Sequence, residues 1–356
     1  MKEIPKKMRA AVMNEVGKLD FEMIDVPEVR DDCVLVKLDY VGVCGSDSHL
    51  FEHGFIGENH VTGSMVLGHE PGGVVAAVGK NVTSLSVGDR VAVEPGVPCW
   101  TCDYCKQGKY NLCPDVYFYA SLPVTEGCFA EYIAHPANLC YKLPDNVSTL
   151  EGALMEPLAV GFHAACQSGA SVGSSAVILG AGCIGLVTML SLMSMGIRDI
   201  TVVDVMENRL KKALELGAAN VVNAASCDPV EKVRELTGGG ADFTFETAGN
   251  ETTLFQTAKM TKRGGTITLV GYTSSGQANM NVNWIIDNEM TIKTVFRYRN
   301  HYPTIIKAVS DGIIPLKKIA SDIFEFDDIQ KGMEYAIYHK NDVTKAVIRI
   351  NPDAER

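Results

Sequence analysis

Positive charge is scarce in this 356-residue chain: 32 Lys and Arg stand against 43 Asp and Glu, for a net charge of −11. No run or stripe of basic residues occurs, which excludes the usual electrostatic footprint for nucleic acid or an anionic membrane surface. Long apolar runs are also missing. The most apolar stretch, residues 184–195, is too short to span a bilayer and follows a glycine motif. The Met-Lys-Glu-Ile-Pro start holds no apolar core, so no secretory signal is expected and the cytoplasm is the expected location. No internal repeat and no low-complexity tract interrupts the chain. Its 46% hydrophobic content implies a folded protein, and its length exceeds the usual single core, so two domains are expected.

Cysteine, by contrast, is plentiful: there are eleven. Four of them, Cys99, Cys102, Cys105 and Cys113, fall within fifteen residues as C-x2-C-x2-C-x7-C. Zinc prefers a tetrahedron of thiolates, and this spacing closes a four-sulfur shell with no position left for substrate, so the metal would be structural. Two local disulfides or an iron–sulfur cluster are the alternative uses of such a run. The other seven cysteines lie at scattered spacings, which suits a cytosolic metalloprotein better than a disulfide scaffold.

Up to about Leu158 the chain reads as short strands broken by Gly, Pro and Asp, for example residues 33–43, 72–79, 88–96 and 130–136, an irregular β-domain. After Pro157 the rhythm changes. A buried strand at 175–180 leads into a helical stretch ending near Gly196, then a strand at 199–204 and a helix at 207–218. The alternation continues through 241–249, 258–265 and 266–272, which predicts βαβ units and a parallel sheet. Residues 326–340 and 345–350 read as a helix and a last strand.

Gly180, Gly182 and Gly185 form G-A-G-C-I-G between a strand and a helix. The first glycine permits the tight turn, the second lets backbone approach a pyrophosphate, and the third allows close helix–strand packing. The helix N-terminus offers free N–H groups to the phosphates. Asp204 ends the next strand, 19 residues beyond Gly185, where its carboxylate can accept from the adenosine ribose and repel a 2′-phosphate. NAD is therefore expected over NADP, with Arg209 placed to lie along the adenine. A second constellation is Cys44, the pair His69 and Glu70, and Glu156. A thiolate, an imidazole and a carboxylate are all zinc ligands, and three protein ligands leave one position open. Such a zinc acidifies a bound hydroxyl toward a pKa of about 7, as an alcohol requires before it gives up hydride. Ser46 could receive the substrate proton and His49 pass it to solvent.

These residues resemble the zinc-containing medium-chain dehydrogenases/reductases, in particular the sorbitol (L-iditol 2-) and xylitol dehydrogenase branch. The likeness rests on "GHEPGGVVAAVGKNV" (68–82), "CGSDSHLFEHG" (44–54), the four-cysteine lobe, "EPLAVGFHA" (156–164) and "VFRYRNHYP" (295–303), and covers essentially the whole chain. It implies an α/β chain: a GroES-like catalytic domain at 1–159 and 300–356, with a structural zinc lobe at 96–114, and a doubly wound Rossmann domain at 160–299. It implies one catalytic zinc per subunit at Cys44, His69 and Glu70, with Glu156 reaching the metal directly or through water, or replacing a Glu70 that has swung away. It implies NAD contacts at Ile184, Asp204, Arg209, Val270, Gly271, Val295, Phe296 and Arg297, and polyol contacts from Arg297 and Tyr298. Oxidation of a polyol to a ketose by a homodimer or homotetramer is the implied function. The alternatives are a sister enzyme acting on butanediol or threonine, or a non-catalytic NAD-binding or zinc redox-sensing protein. Glutamate at 156 favours the polyol branch, since simple zinc alcohol dehydrogenases usually carry cysteine there. Leu50 replaces a tyrosine that contacts polyol in animal members.

Overall fold

The computed structural model of the protein describes residues 4–273 and 275–355; residues 1–3, where a leader would begin, lie outside them. The chain divides into two units, Met1–Glu156 with Tyr302–Arg356, and Pro157–His301.

The first unit is built on a seven-stranded sheet. Its centre is Cys33–Gly42, almost wholly buried, flanked by antiparallel Glu70–Val78 on one side and, toward its C-terminal end, Ala346–Arg349 on the other. Its apolar residues do not alternate because both faces are covered, and Val34, Val36, Leu38, Val75, Val91, Phe129, Met333 and Ile348 share one core. The register sets Gly42 opposite Glu70.

Two features of this unit depart from a reading as strands alone. Residues 45–53 form a helix, Gly45–His53. Asp47 initiates it by accepting the Cys44 N–H at 3.0 Å, Leu50 and Phe51 bury their side chains, and Gly54, at φ +72°, ends it with an N–H bonded to Leu50 O at 2.8 Å. The change of rhythm at Pro157 is also not a break in secondary structure: Thr149–Ser168 is one helix with the proline inside it. An interior proline costs about 3 kcal/mol. Full burial of Ala153, Leu154, Met155, Leu158 and Ala159 offsets that cost.

The second unit carries a six-stranded parallel sheet. Its strand order is Asn220–Asn223, Asp199–Asp204, Ser175–Leu179, Ala241–Glu246, Thr261–Leu269, Thr291–Thr294. Helices Cys183–Ser194, Glu207–Glu215, Pro229–Leu236 and Glu251–Met260 connect the first five strands in chain order. The order reverses at Ser175–Leu179, so a crevice opens at the C-terminal ends of Ser175–Leu179 and Ala241–Glu246. The stretch 258–265 is split, its first part ending a helix at Met260 and the rest beginning a strand at Thr261. Among the described residues no helix is long and apolar enough to cross a membrane.

Candidate metal centres and dinucleotide site

Three donors converge at one place in the first unit. Cys44 caps the Gly45–His53 helix, His69 ends the loop before Glu70–Val78, and Glu70 begins that strand. One ligand atom from each lies within 4.8 Å of the other two. Gly68, at φ +91°, lets the chain turn into the His-Glu pair, because a Cβ there would sit 2.9 Å from the Phe129 ring.

Asp47 ties the two loops together. Fully buried, it accepts Cys44 N–H through Oδ2 and Gly68 N–H through Oδ1, each at 3.0 Å, and its Oδ1 lies 3.4 Å from His69 Nδ1 without hydrogen-bond geometry. Burial pushes the Asp47 carboxyl up, but the facing His69 imidazole and the two amides outweigh it and leave the carboxyl below its usual range. Burial likewise opposes charge on His69, yet Asp47 and then Cys44 raise the imidazole well above its ordinary value.

Behind Glu70 stands Lys345, itself buried, whose Nζ donates to Glu70 Oε1 at 2.5 Å and to Val43 O at 2.9 Å. The other carboxylate oxygen, Oε2, is buried without a hydrogen-bond partner. Gly42 makes room for it, since a Cβ at 42 would fall 1.9 Å from Oε2. A thiol, an imidazole and a carboxylate with one orphaned oxygen fit a zinc ion with an open position. Glu156 is buried on the Thr149–Ser168 helix but is not one of the three converging donors. Ser46 and His49 lie half-buried on the helix that Cys44 caps. Burial first, and then His53, lower the pKa of His49, whose ring packs 4.6 Å from that of His53. Leu50 is fully buried in the core cluster.

The four cysteines of the lobe also converge, with their sulfurs within 4.8 Å of one another. Backbone N–H groups of Cys102 and Cys99 donate to the sulfurs of Cys99 and Cys113, both at 3.3 Å. Bonds from Thr101 and the Cys102 amide pull the Cys99 thiol down to about 6, while burial pushes Cys105 up to about 12. No disulfide forms among the described residues. Sulfurs spaced this closely and receiving amide bonds fit a closed zinc shell. Tyr110, between the third and fourth cysteines, donates to buried Glu94 at 2.7 Å and so fastens the lobe to the sheet.

In the second unit the glycine turn has the required shape. Gly180 sits at φ +104°, and a Cβ on Gly185 would fall 1.8 Å from Gly180 O. A Cβ on Gly182 would meet nothing nearer than Arg209 Nη1 at 3.9 Å, and no side chain caps the helix that Gly182 begins. Open space in front of an uncapped N-terminus fits a pyrophosphate. Asp204 accepts from Ala181 N–H at 2.7 Å and Met206 N–H at 2.9 Å, which places its carboxylate against the glycine turn. Ile184 lies in the first turn of the same helix, and Arg209 on Glu207–Glu215. Val270 and Gly271 follow Thr261–Leu269 and donate their amides to Glu246 O. Beyond Thr291–Thr294, Val295 is buried and Phe296 exposed, Arg297 lies over the Phe296 ring at φ +52°, and Tyr298 is 3% exposed.

Sequence reasoning did not find Asp47, Lys345 or Glu246. Asp47 had a local signal, an acid three residues after a candidate ligand at a helix start. Lys345 had none, because it comes to Glu70 across 275 residues of chain.

The chain matches the family description "Alcohol dehydrogenase GroES-like domain" over residues 30–145 and "Zinc-binding dehydrogenase" over 183–311. It is 44% identical over 348 residues to an uncharacterized zinc-type alcohol dehydrogenase-like protein of Escherichia coli, covering 97% of this chain and 99% of that one. It is 40% identical over 349 residues to a sorbitol dehydrogenase of Bacillus subtilis, covering 98% and 99%. A solved alcohol dehydrogenase of E. coli, complexed with NADH, superposes with a TM-score of 0.89 at 26% identity over 97% of this chain and all of that one.

Proposed function

This chain belongs to the zinc-containing medium-chain dehydrogenases, and from that premise we propose that it is an NAD-dependent polyol dehydrogenase, oxidising a secondary hydroxyl of a sorbitol-, xylitol- or L-iditol-like substrate to a ketose. The observation that carries the reading is the convergence of Cys44, His69 and Glu70 on one point, with Glu70 Oε2 buried and unpaired. The sorbitol dehydrogenase relative supports the substrate class.

Zinc held by Cys44, His69 and Glu70 would supply a Lewis acid that lowers the pKa of an alcohol hydroxyl. NAD supplies the hydride acceptor. The protein's own residues do the rest. Asp47 ties the Cys44 and Gly68 backbone together beside His69, and Lys345 engages one Glu70 oxygen and leaves the other available to a metal. Ser46 takes the hydroxyl proton and His49, kept neutral by its lowered pKa, carries it outward. Glu156 would add a buried carboxylate to the metal site, directly or through water. Asp204, between the glycine turn and Met206, selects ribose over its 2′-phosphate, and Ile184, Arg209, Val270, Gly271, Val295, Phe296 and Arg297 line the cofactor. Arg297 and Tyr298 contact the polyol. Cys99, Cys102, Cys105 and Cys113 hold a second, structural zinc. The enzyme works in the cytoplasm as a homodimer or homotetramer.

The test is NADH formation by zinc-replete protein with sorbitol, xylitol, L-iditol, ribitol, 2,3-butanediol, ethanol and L-threonine, repeated with NADP and after chelation. Polyol turnover with NAD that chelation abolishes is expected. Turnover of butanediol or threonine alone would sink the polyol assignment while leaving the metal chemistry.

A further inference from the structure

Glu246 is fully buried at the C-terminal end of Ala241–Glu246, and its oxygens serve the loops at the mouth of the parallel sheet. Its Oε1 accepts from Ala248 N–H and Gly249 N–H, both at 3.0 Å, and from the Thr253 hydroxyl at 2.7 Å. Its main-chain oxygen accepts from Val270 N–H at 2.9 Å and Gly271 N–H at 3.0 Å. The two loops are packed backbone to backbone: a Cβ on Gly271 would fall 2.3 Å from Gly249 N and 2.7 Å from Glu246 Oε2, and one on Gly249 would fall 2.3 Å from Tyr272 O. Burial raises the Glu246 carboxyl, against the pull of these donors.

Sheet order says which half of a dinucleotide these loops would meet. The glycine turn follows Ser175–Leu179, and Asp204 ends the neighbouring strand on one side. Ala241–Glu246 and Thr261–Leu269 lie on the other side. With the pyrophosphate at the glycine turn and the adenosine ribose at Asp204, the nicotinamide half must extend over the Glu246 side.

We propose that Glu246 is a positioning residue for the nicotinamide half of the cofactor: its carboxylate holds the 247–249 loop, and that loop backs the Val270–Gly271 backbone against the cofactor. This rests on the reading of the second unit as an NAD site. Substitution by methionine keeps most of the volume but removes the oxygen acceptor, so the bonds from Ala248, Gly249 and Thr253 are all lost, whereas glutamine could keep its carbonyl oxygen in the Oε1 position.

The experiment compares NADH with ADP-ribose, which lacks nicotinamide, by calorimetric titration of the full-length zinc-replete protein. Glu246→Met is expected to weaken NADH at least tenfold and to leave ADP-ribose within about threefold. A general collapse would weaken both equally, and that outcome overturns the proposal. Thr253→Val, which removes the hydroxyl that donates to Glu246 Oε1, is the second variant and is expected to show the same split should Glu246→Met fail to fold. NADH affinity within twofold of wild type in a folded variant also overturns it. Failure of the unaltered protein to bind NADH would overturn the NAD reading itself and this inference with it.

Discussion

At the scale of single residues, the pair Lys345–Glu70 decides the most. Both are buried, at 4% and 1% exposed side chain, so neither charge is tolerable without the other or a substitute. Zinc is such a substitute. Lys345→Met is therefore expected to cost about 3–5 kcal/mol in metal-free protein, the usual penalty for stripping one partner from a buried pair. The cost should be clearly smaller in the zinc-loaded form, where a metal on Glu70 would neutralise it. Calorimetric melting of wild type and variant, each with and without chelator, reads both differences. Equal losses in the two states would mean that no metal rests on Glu70. The convergence of Cys44, His69 and Glu70 was legible in the sequence because ligand chemistry is carried by residue type and short spacing. Their partners were less so. Asp47 was detectable as a helix-start acid, whereas Lys345 is an ordinary lysine until the sheet brings it to Glu70.

At the scale of elements, the strand Tyr132–Pro136 places His135 inside the first unit, 1% exposed, with Nε2 donating to Glu94 O at 2.8 Å and Nδ1 facing the Tyr119 hydroxyl at 3.1 Å. Burial lowers its pKa to about 4 from an ordinary value of 6.5. The unfolded chain thus takes up the proton first as pH falls. The stability His135 contributes is complete above 6.5 and is lost between 6.5 and about 4, roughly 3 kcal/mol in all. His163 and His301, bonded to each other at 2.9 Å and lowered by burial to about 3 and about 4, act on the same acid limb. Between pH 7 and 4 wild type is expected to lose about 3 kcal/mol more than His135→Gln. Zinc loss is common to both proteins and cancels in that difference. Parallel acid limbs in thermal melts would refute the assignment. Elements were legible wherever periodicity was strong, as in the parallel strands. The Gly45–His53 helix was not, because its identity rests on a cap from Asp47 and burial of Leu50 and Phe51, and a helix through Pro157 is sustained only by the apolar surface it buries.

At the scale of the whole molecule, each unit has its own core, and one sheet edge is left bare. Thr291–Thr294 is an edge strand with all four residues exposed, Ile292 among them at 42%. An exposed edge strand is a template for pairing with a second copy. If the proposed homo-oligomer forms there, Ile292→Lys should shift sedimentation toward smaller species without lowering zinc content; an unchanged sedimentation coefficient would place the interface elsewhere. The family, the α/β class with its parallel sheet, and the candidate zinc and dinucleotide residues were legible in the chain alone, because metal ligation, phosphate cradling and strand–helix alternation are written in short spacings. Packing in three dimensions alone brings Lys345 to Glu70, leaves space at Gly42 for the second Glu70 oxygen, and joins two loops of the sheet mouth through Glu246. Charge pairing and steric exclusion act through space over a few ångströms, and chain spacing does not encode which distant residues will share that distance.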